Sequence, residues 1–241
     1  MGEFDLSVIG DLAVWYVVFL FSLTLHEGAH ALVAYLGGDD TAYRGGQVTL
    51  NPIPHVRREP FGTVLVPLLS FFYMGWMMGW ASAPYNPDWA RRHPRRQALM
   101  SLAGPSANLL IALAAFVALR ICLSAGILEP PERATFSHIV VPPPGTPPDS
   151  WLVPFALLLS VALNLNVLLG LFNLIPLPPL DGSGVVEGLF PEGAARLLRP
   201  LRTNPMLSLV GLLVAWRLFG MMVSPAFGLV LRLLHPGVGY S

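Results

Sequence analysis

The chain has 241 residues, with fourteen arginines, no lysine and fourteen acidic residues, so its formal net charge is zero. Charged residues make up 12%, hydrophobic residues 54%, and the mean hydropathy is +0.61. Soluble domains carry about 25% charge, and a soluble core of this size could not hide so much apolar surface, which points to an integral membrane protein whose first partner is the lipid bilayer. Balanced charge without a basic, aromatic-interleaved run argues against nucleic acid, and the hydrophobicity excludes disorder. Cys122 is the single cysteine, so no internal disulfide framework and no cysteine-based zinc site is expected.

The N-terminus, Met1-Gly2-Glu3-Phe4-Asp5, is acidic where a signal peptide is basic, and no small-residue cleavage site follows the first apolar run. The first segment is therefore expected to be retained. A spanning helix needs about 20 apolar residues, and candidates run from about Leu12 to Leu36, Phe61 to Ala83, Gln97 to Gly126 and Trp151 to Ile175. A fifth apolar stretch, Met206 to Leu234, holds Arg217 and Pro225 and reads either as one long span or as a broken hairpin. Between the first two segments, Gly45-Gly46-Gln47-Val48-Thr49-Leu50 reads as a short strand pair bounded by turns. Residues 129–150 are proline-rich and read as an extended loop. The expected architecture is an all-α multi-pass bundle of about four to six transmembrane helices with a short membrane-associated β-strand region. It forms one domain over residues 1–241, with a core of about 12–190 and C-terminal membrane segment(s) over about 205–235.

Arginine placement orients the segments. Arg91, Arg92, Arg95 and Arg96 precede the third segment, and Arg196, Arg199 and Arg202 follow the fourth. The third then runs in to out and the fourth out to in. Arg44, Arg57 and Arg58 put the other flank of Phe61–Ala83 inside as well, so this segment is expected to enter and leave on one side. Its Pro67, Gly75 and Gly79 are tolerable at that depth only under protein cover.

The first segment contains His26-Glu27-Gly28-Ala29-His30. On a helix, positions i and i+4 share a face about 6 Å apart along the axis, so two imidazoles can grip one metal ion with a glutamate beside its water. Zinc suits nitrogen and oxygen ligands and an open fourth position. The bland alternative is a pair of satisfied core histidines, but ionisable residues inside a membrane are costly and functional by default. A catalytic zinc wants a third protein ligand. Asp181 follows Asn173-Leu174-Ile175-Pro176-Leu177-Pro178-Pro179-Leu180, where the prolines end the fourth helix and force extended chain. Its alternative role is a solvent-facing turn residue. The arginine-derived topology brings His26, His30 and Asp181 to similar depth.

These two motifs, together with Ala103-Gly104-Pro105-Ser106-Ala107-Asn108, resemble the site-2 protease (M50) family of intramembrane zinc metalloproteases. Gln47-Val48-Thr49-Leu50-Asn51-Pro52 with His55 is similar to the strand region that follows the first motif in many bacterial members. The resemblance spans about residues 20–190. It implies one zinc per chain bound by His26, His30 and Asp181, Glu27 as general base, and Asn173 and Asn108 positioning substrate or intermediate. It also implies a transmembrane protein as substrate. No PDZ insertion or CBS domain is evident, so a minimal member is expected. Arginine without lysine points to a GC-rich bacterial genome and hence a bacterial inner membrane. The competing function classes are a membrane carrier or metal permease and an inactive protease-like scaffold, and Glu27 beside the first histidine favours neither. Asn164 and Asn166 read as helix–helix hydrogen-bonding residues, and His55, His93 and His138 as solvated or structural.

Overall fold

The structure, a computed structural model, describes residues 6–240. Ten α-helices follow in order among these residues: α1 (Leu6–Leu36), α2 (Thr41–Arg44), α3 (Ile53–Arg58), α4 (Val66–Met74), α5 (Pro87–Arg92), α6 (Pro94–Ser124), α7 (Leu152–Asn173), α8 (Asp181–Leu189), α9 (Pro191–Thr203) and α10 (Pro205–Leu234). A π-helical turn, Phe61–Leu65, leads into α4. Four helices, α1, α6, α7 and α10, are long and apolar enough to cross a membrane. They are apolar nearly all round, as lipid on one side and protein on the other require. α7 is the most enclosed, with 56% of its most apolar window buried against 17% in α10. It packs against α1 and α6, and α10 lies against its outer side. The last helix is continuous through Pro225, which decides between the two readings of that stretch, and Arg217 is exposed on it.

The expected strand pair is absent. Among the described residues the only β pairing is an isolated bridge between Glu129 and Val141, and residues 41–58 form α2, a turn and α3 instead. Local hydrogen bonds explain the difference. Asp39 Oδ1 accepts from the Thr41 amide at 3.1 Å, Thr49 Oγ1 from the Asn51 amide at 3.0 Å, and Asn51 Oδ1 from the Ile53 amide at 3.0 Å. Within the segment the Gly45, Gly46 and Gln47 amides go to the Thr41, Tyr43 and Ala42 carbonyls of the preceding turn, side chains capture amides on either side of it, and Pro52 and Pro54 have none to offer.

Phe61–Ala83 does not form a straight span. Its helical part ends at Met74, a length of about 21 Å against the ~30 Å of a hydrocarbon core. Gly75, at φ +74°, turns the chain, which returns without regular structure until the Trp80 amide donates to the Gly62 carbonyl at 3.1 Å. The two ends lie side by side, the geometry a same-side entry and exit requires. Only glycine fits at this crossing: a Cβ on Gly79 would sit 2.1 Å from the Gly62 oxygen.

At the far end of the bundle, the proline-rich loop is more than a spacer. Ile139 and Val140 are fully buried in one cluster with Leu119 of α6, Leu159 of α7 and Leu234 of α10. Phe136 from the same loop stacks on Trp15 of α1, ring centroids 5.8 Å apart. Arg120 donates to the Leu234 carbonyl at 2.8 Å, capping α10.

Candidate metal centre

α1 presents His26 and His30 on one face, as their four-residue spacing dictates. The proline segment after α7 then folds Leu180 into an extended N-cap, so Asp181 opens α8. α8 packs along α6 and α6 along α1, and this stacking carries Asp181 to a histidine 155 residues earlier. The Nε2 atoms of His26 and His30 are 3.0 Å apart, and Asp181 Oδ2 lies 3.1 Å from the first and 3.3 Å from the second. Three donors around one tetrahedral zinc at ~2.05 Å would be about 3.3 Å from one another. The triangle is therefore the right size, and the donor set, two imidazoles and a carboxylate, is the right chemistry.

The histidine tautomers suit the same purpose. His30 Nδ1 lies 2.7 Å from the Met100 carbonyl, which can only accept, so Nδ1 carries the proton and Nε2 keeps its lone pair. His26 Nδ1 lies 2.6 Å from Asn108 Oδ1, an equivalent arrangement. Orienting partners of this kind are the usual complement of a metal-binding imidazole. Gly104 of α6 faces both rings: a Cβ there would be 2.3 Å from His30 Nε2 and 2.6 Å from His26 Nε2.

Glu27 is buried, with Oε1 4.0 Å from His26 Nε2. It lines a cavity of about 200 Å³ together with His30 and Asp181. The same cavity is lined by a stretch without regular secondary structure, Ala81-Ser82-Ala83-Pro84-Tyr85. Among the described residues none of its backbone amides or carbonyls takes a hydrogen bond.

Asn108 and Asn173 stand differently from one another. Asn108 is fully buried and spends its side chain on His26 and on Asn166 of α7. Asn173 donates back to the Leu169 carbonyl of its own helix at 3.0 Å and does not line the cavity. His93 is half-buried and His138 exposed, both away from the triangle. His55 differs: it is 1% exposed, neither ring nitrogen has a hydrogen-bond partner, and Glu27 and the Thr49 carbonyl are the groups that act on it. Sequence reasoning also missed Met100, Ser22 and the 81–85 stretch. Only the last carried a signal, small residues and a proline interrupting an apolar run.

The family model described as Peptidase family M50 matches residues 14–218, most of the chain. "Putative zinc metalloprotease YwhC" of Bacillus subtilis is 38% identical over 79% of this chain and 74% of its own length. Two proteins named "Putative zinc metalloprotease Rip2" are also similar. That of Mycolicibacterium smegmatis is 28% identical over 87% of this chain and 70% of its own, and that of Mycobacterium tuberculosis strain H37Rv is 29% identical over 89% and 72%. No solved structure is significantly similar. The extent of the family match means that this chain belongs to peptidase family M50.

Proposed function

We propose that the protein is a zinc-dependent intramembrane endopeptidase that hydrolyses peptide bonds in or near transmembrane segments of other membrane proteins. Membership of the family makes it a metalloprotease, and its similarity to named zinc metalloproteases makes zinc the metal. The intramembrane part of the reading rests on one observation above all. His26 and His30 project from within a span-length apolar helix and meet Asp181, with Glu27 on the wall of the same cavity.

His26, His30 and Asp181 would hold the metal. A zinc ion held there would supply a Lewis acid and make water easier to deprotonate near neutral pH. Glu27, a buried carboxylate at the cavity wall, takes a proton from water and returns it to the leaving amine. Burial keeps bulk water from competing for that proton. A peptide bond in a membrane helix is hydrogen-bonded and shielded, so the substrate must first be locally extended. The unpaired backbone of Ala81–Tyr85 offers it strand-like partners at the cavity. The bacterial relatives support a home in a bacterial cytoplasmic membrane.

The test compares wild type, Asp181→Ala and Glu27→Gln in purified, detergent-solubilised protein. Wild type should carry about one zinc and cleave a reconstituted single-span substrate. Asp181→Ala should lose the metal, and Glu27→Gln should keep it while losing cleavage. Zinc indifferent to Asp181 would sink the site. A Glu27→Gln protein that keeps its activity would favour a carrier or a scaffold.

A further inference from the structure

We propose that Asn166 on α7 is a positioning residue for the metal centre, acting through Asn108 to hold His26 in the tautomer whose Nε2 lone pair faces the metal. The inference rests on the reading of His26 as a metal ligand.

A side-chain amide has a direction, and here the surroundings determine it. Asn166 Nδ2 lies 2.8 Å from the Ala162 carbonyl and 2.9 Å from Ser22 Oγ. A backbone carbonyl can only accept, so the group facing Ala162 is the amide nitrogen. The Ser22 hydroxyl is spent on the Val18 carbonyl at 2.7 Å, so toward Asn166 its oxygen accepts. Asn166 Oδ1 is thereby turned to Asn108, whose Nδ2 donates to it at 2.8 Å. The Asn108 oxygen then faces His26, accepting from Nδ1 at 2.6 Å. Two backbone carbonyls thus set the sense of a chain that crosses α1, α7 and α6 and ends on the imidazole.

Burial makes the sense binding. Ser22, Asn108 and Asn166 are each 0% exposed, so water does not replace a lost partner. Without the Asn166 oxygen, the Asn108 amide has no reason to keep its nitrogen away from His26. A flipped Asn108 would accept nothing from Nδ1 and would favour the proton on Nε2, where the metal must bind. Asn164, two residues away and 2% exposed, is the internal contrast: it donates to the Phe136 carbonyl at 2.7 Å and has no part in the chain.

The experiment measures zinc affinity of the full chain in detergent by chelator competition, together with 15N shifts of the His26 ring in metal-free protein. Asn166→Leu should bind zinc ten- to a hundredfold more weakly, the usual effect of losing an orienting partner, and its His26 should lose the pure Nδ1–H signature. Asn164→Leu should match wild type in both. Ser22→Ala should also stay close, because Ala162 still orients the Asn166 amide. Should Asn166→Leu fail to fold, the pair at Asn108 decides. Asn108→Asp still accepts from Nδ1 and should keep most of the affinity, whereas Asn108→Leu should lose as much as predicted for Asn166→Leu. Wild-type affinity in Asn166→Leu, an equal loss in Asn164→Leu, or no difference between the two Asn108 variants would overturn the relay. Zinc absent from wild type would instead overturn the metal reading beneath it, and the relay with it.

Discussion

Gly104 of α6 presses so closely on His30 of α1 that a Cβ built on the glycine would lie 2.3 Å from the ring nitrogen facing the centre. α6 can cover the histidine pair only because that position has no side chain. Gly104→Ala should therefore spare the helices but force the rings apart. Overpacking of this kind costs about 1–3 kcal/mol, and here it falls on the two histidines proposed to hold the metal. The expected outcome is near-complete loss of bound zinc with a modest drop in thermal midpoint, read by metal analysis beside an unfolding curve. Full zinc occupancy in the variant would mean that the helices can separate without cost.

How much of this was legible beforehand differs residue by residue. His26 and His30 could be paired from spacing alone, because a helix repeats and an apolar run of that length is a helix. Asp181 needed more: its depth followed from arginines flanking other segments, and its role from the resemblance. The loop after α1 was misread because Val48, Thr49 and Leu50 have strand-like composition, while the Gly45, Gly46 and Gln47 amides go to carbonyls of the preceding turn and Asp39, Thr49 and Asn51 capture amides on either side. Composition does not reveal which carbonyl a side chain will find. Asn166 was legible as a helix-to-helix hydrogen-bonding residue, but its partner on another helix, Asn108, was not, since that depends on how α6 and α7 are rotated against each other.

Metal removal should destabilise the fold, because the three donors come from two elements, α1 and α8, that both pack on α6 and that a shared metal would tie to each other directly. A ligand at a hundredfold excess over its dissociation constant stabilises by about 2.7 kcal/mol. Adding a strong chelator should lower the wild-type thermal midpoint by several degrees, and returning zinc should restore it. Asp181→Ala should respond to neither addition. A wild-type midpoint blind to chelator would show that the donors do not bind a metal together.

The unpaired backbone at Ala81–Tyr85 gives a prediction that separates binding from chemistry. Ala83→Pro removes an amide that takes no hydrogen bond within the described protein, so folding and zinc content should be unchanged. If a substrate strand uses that amide, one hydrogen bond of about 1 kcal/mol is lost. Catalytic efficiency should then fall severalfold toward an extended substrate, mostly through KM. A variant with wild-type KM would remove this stretch from the substrate path.

His55 should reveal itself by making the protein less stable than it need be. Its ring is buried with two unpartnered nitrogens, and leaving a buried polar group unsatisfied costs about 1–3 kcal/mol. Burial holds it below its ordinary pKa, outweighing the pull of the Glu27 charge and the Thr49 carbonyl. The native ring is therefore neutral while the unfolded one takes a proton below about 6.5, so stability is present above that pH and falls as the pH drops from there toward the lowered native value. His55→Phe should raise the thermal midpoint at neutral pH and flatten its decline between neutrality and mild acid. His235, also lowered by burial, should keep some slope in place. If cleavage by the stabilised variant slows while zinc stays bound, the imidazole is retained for what it does beside Glu27; if the variant is less stable than wild type, His55 is a core residue and nothing more.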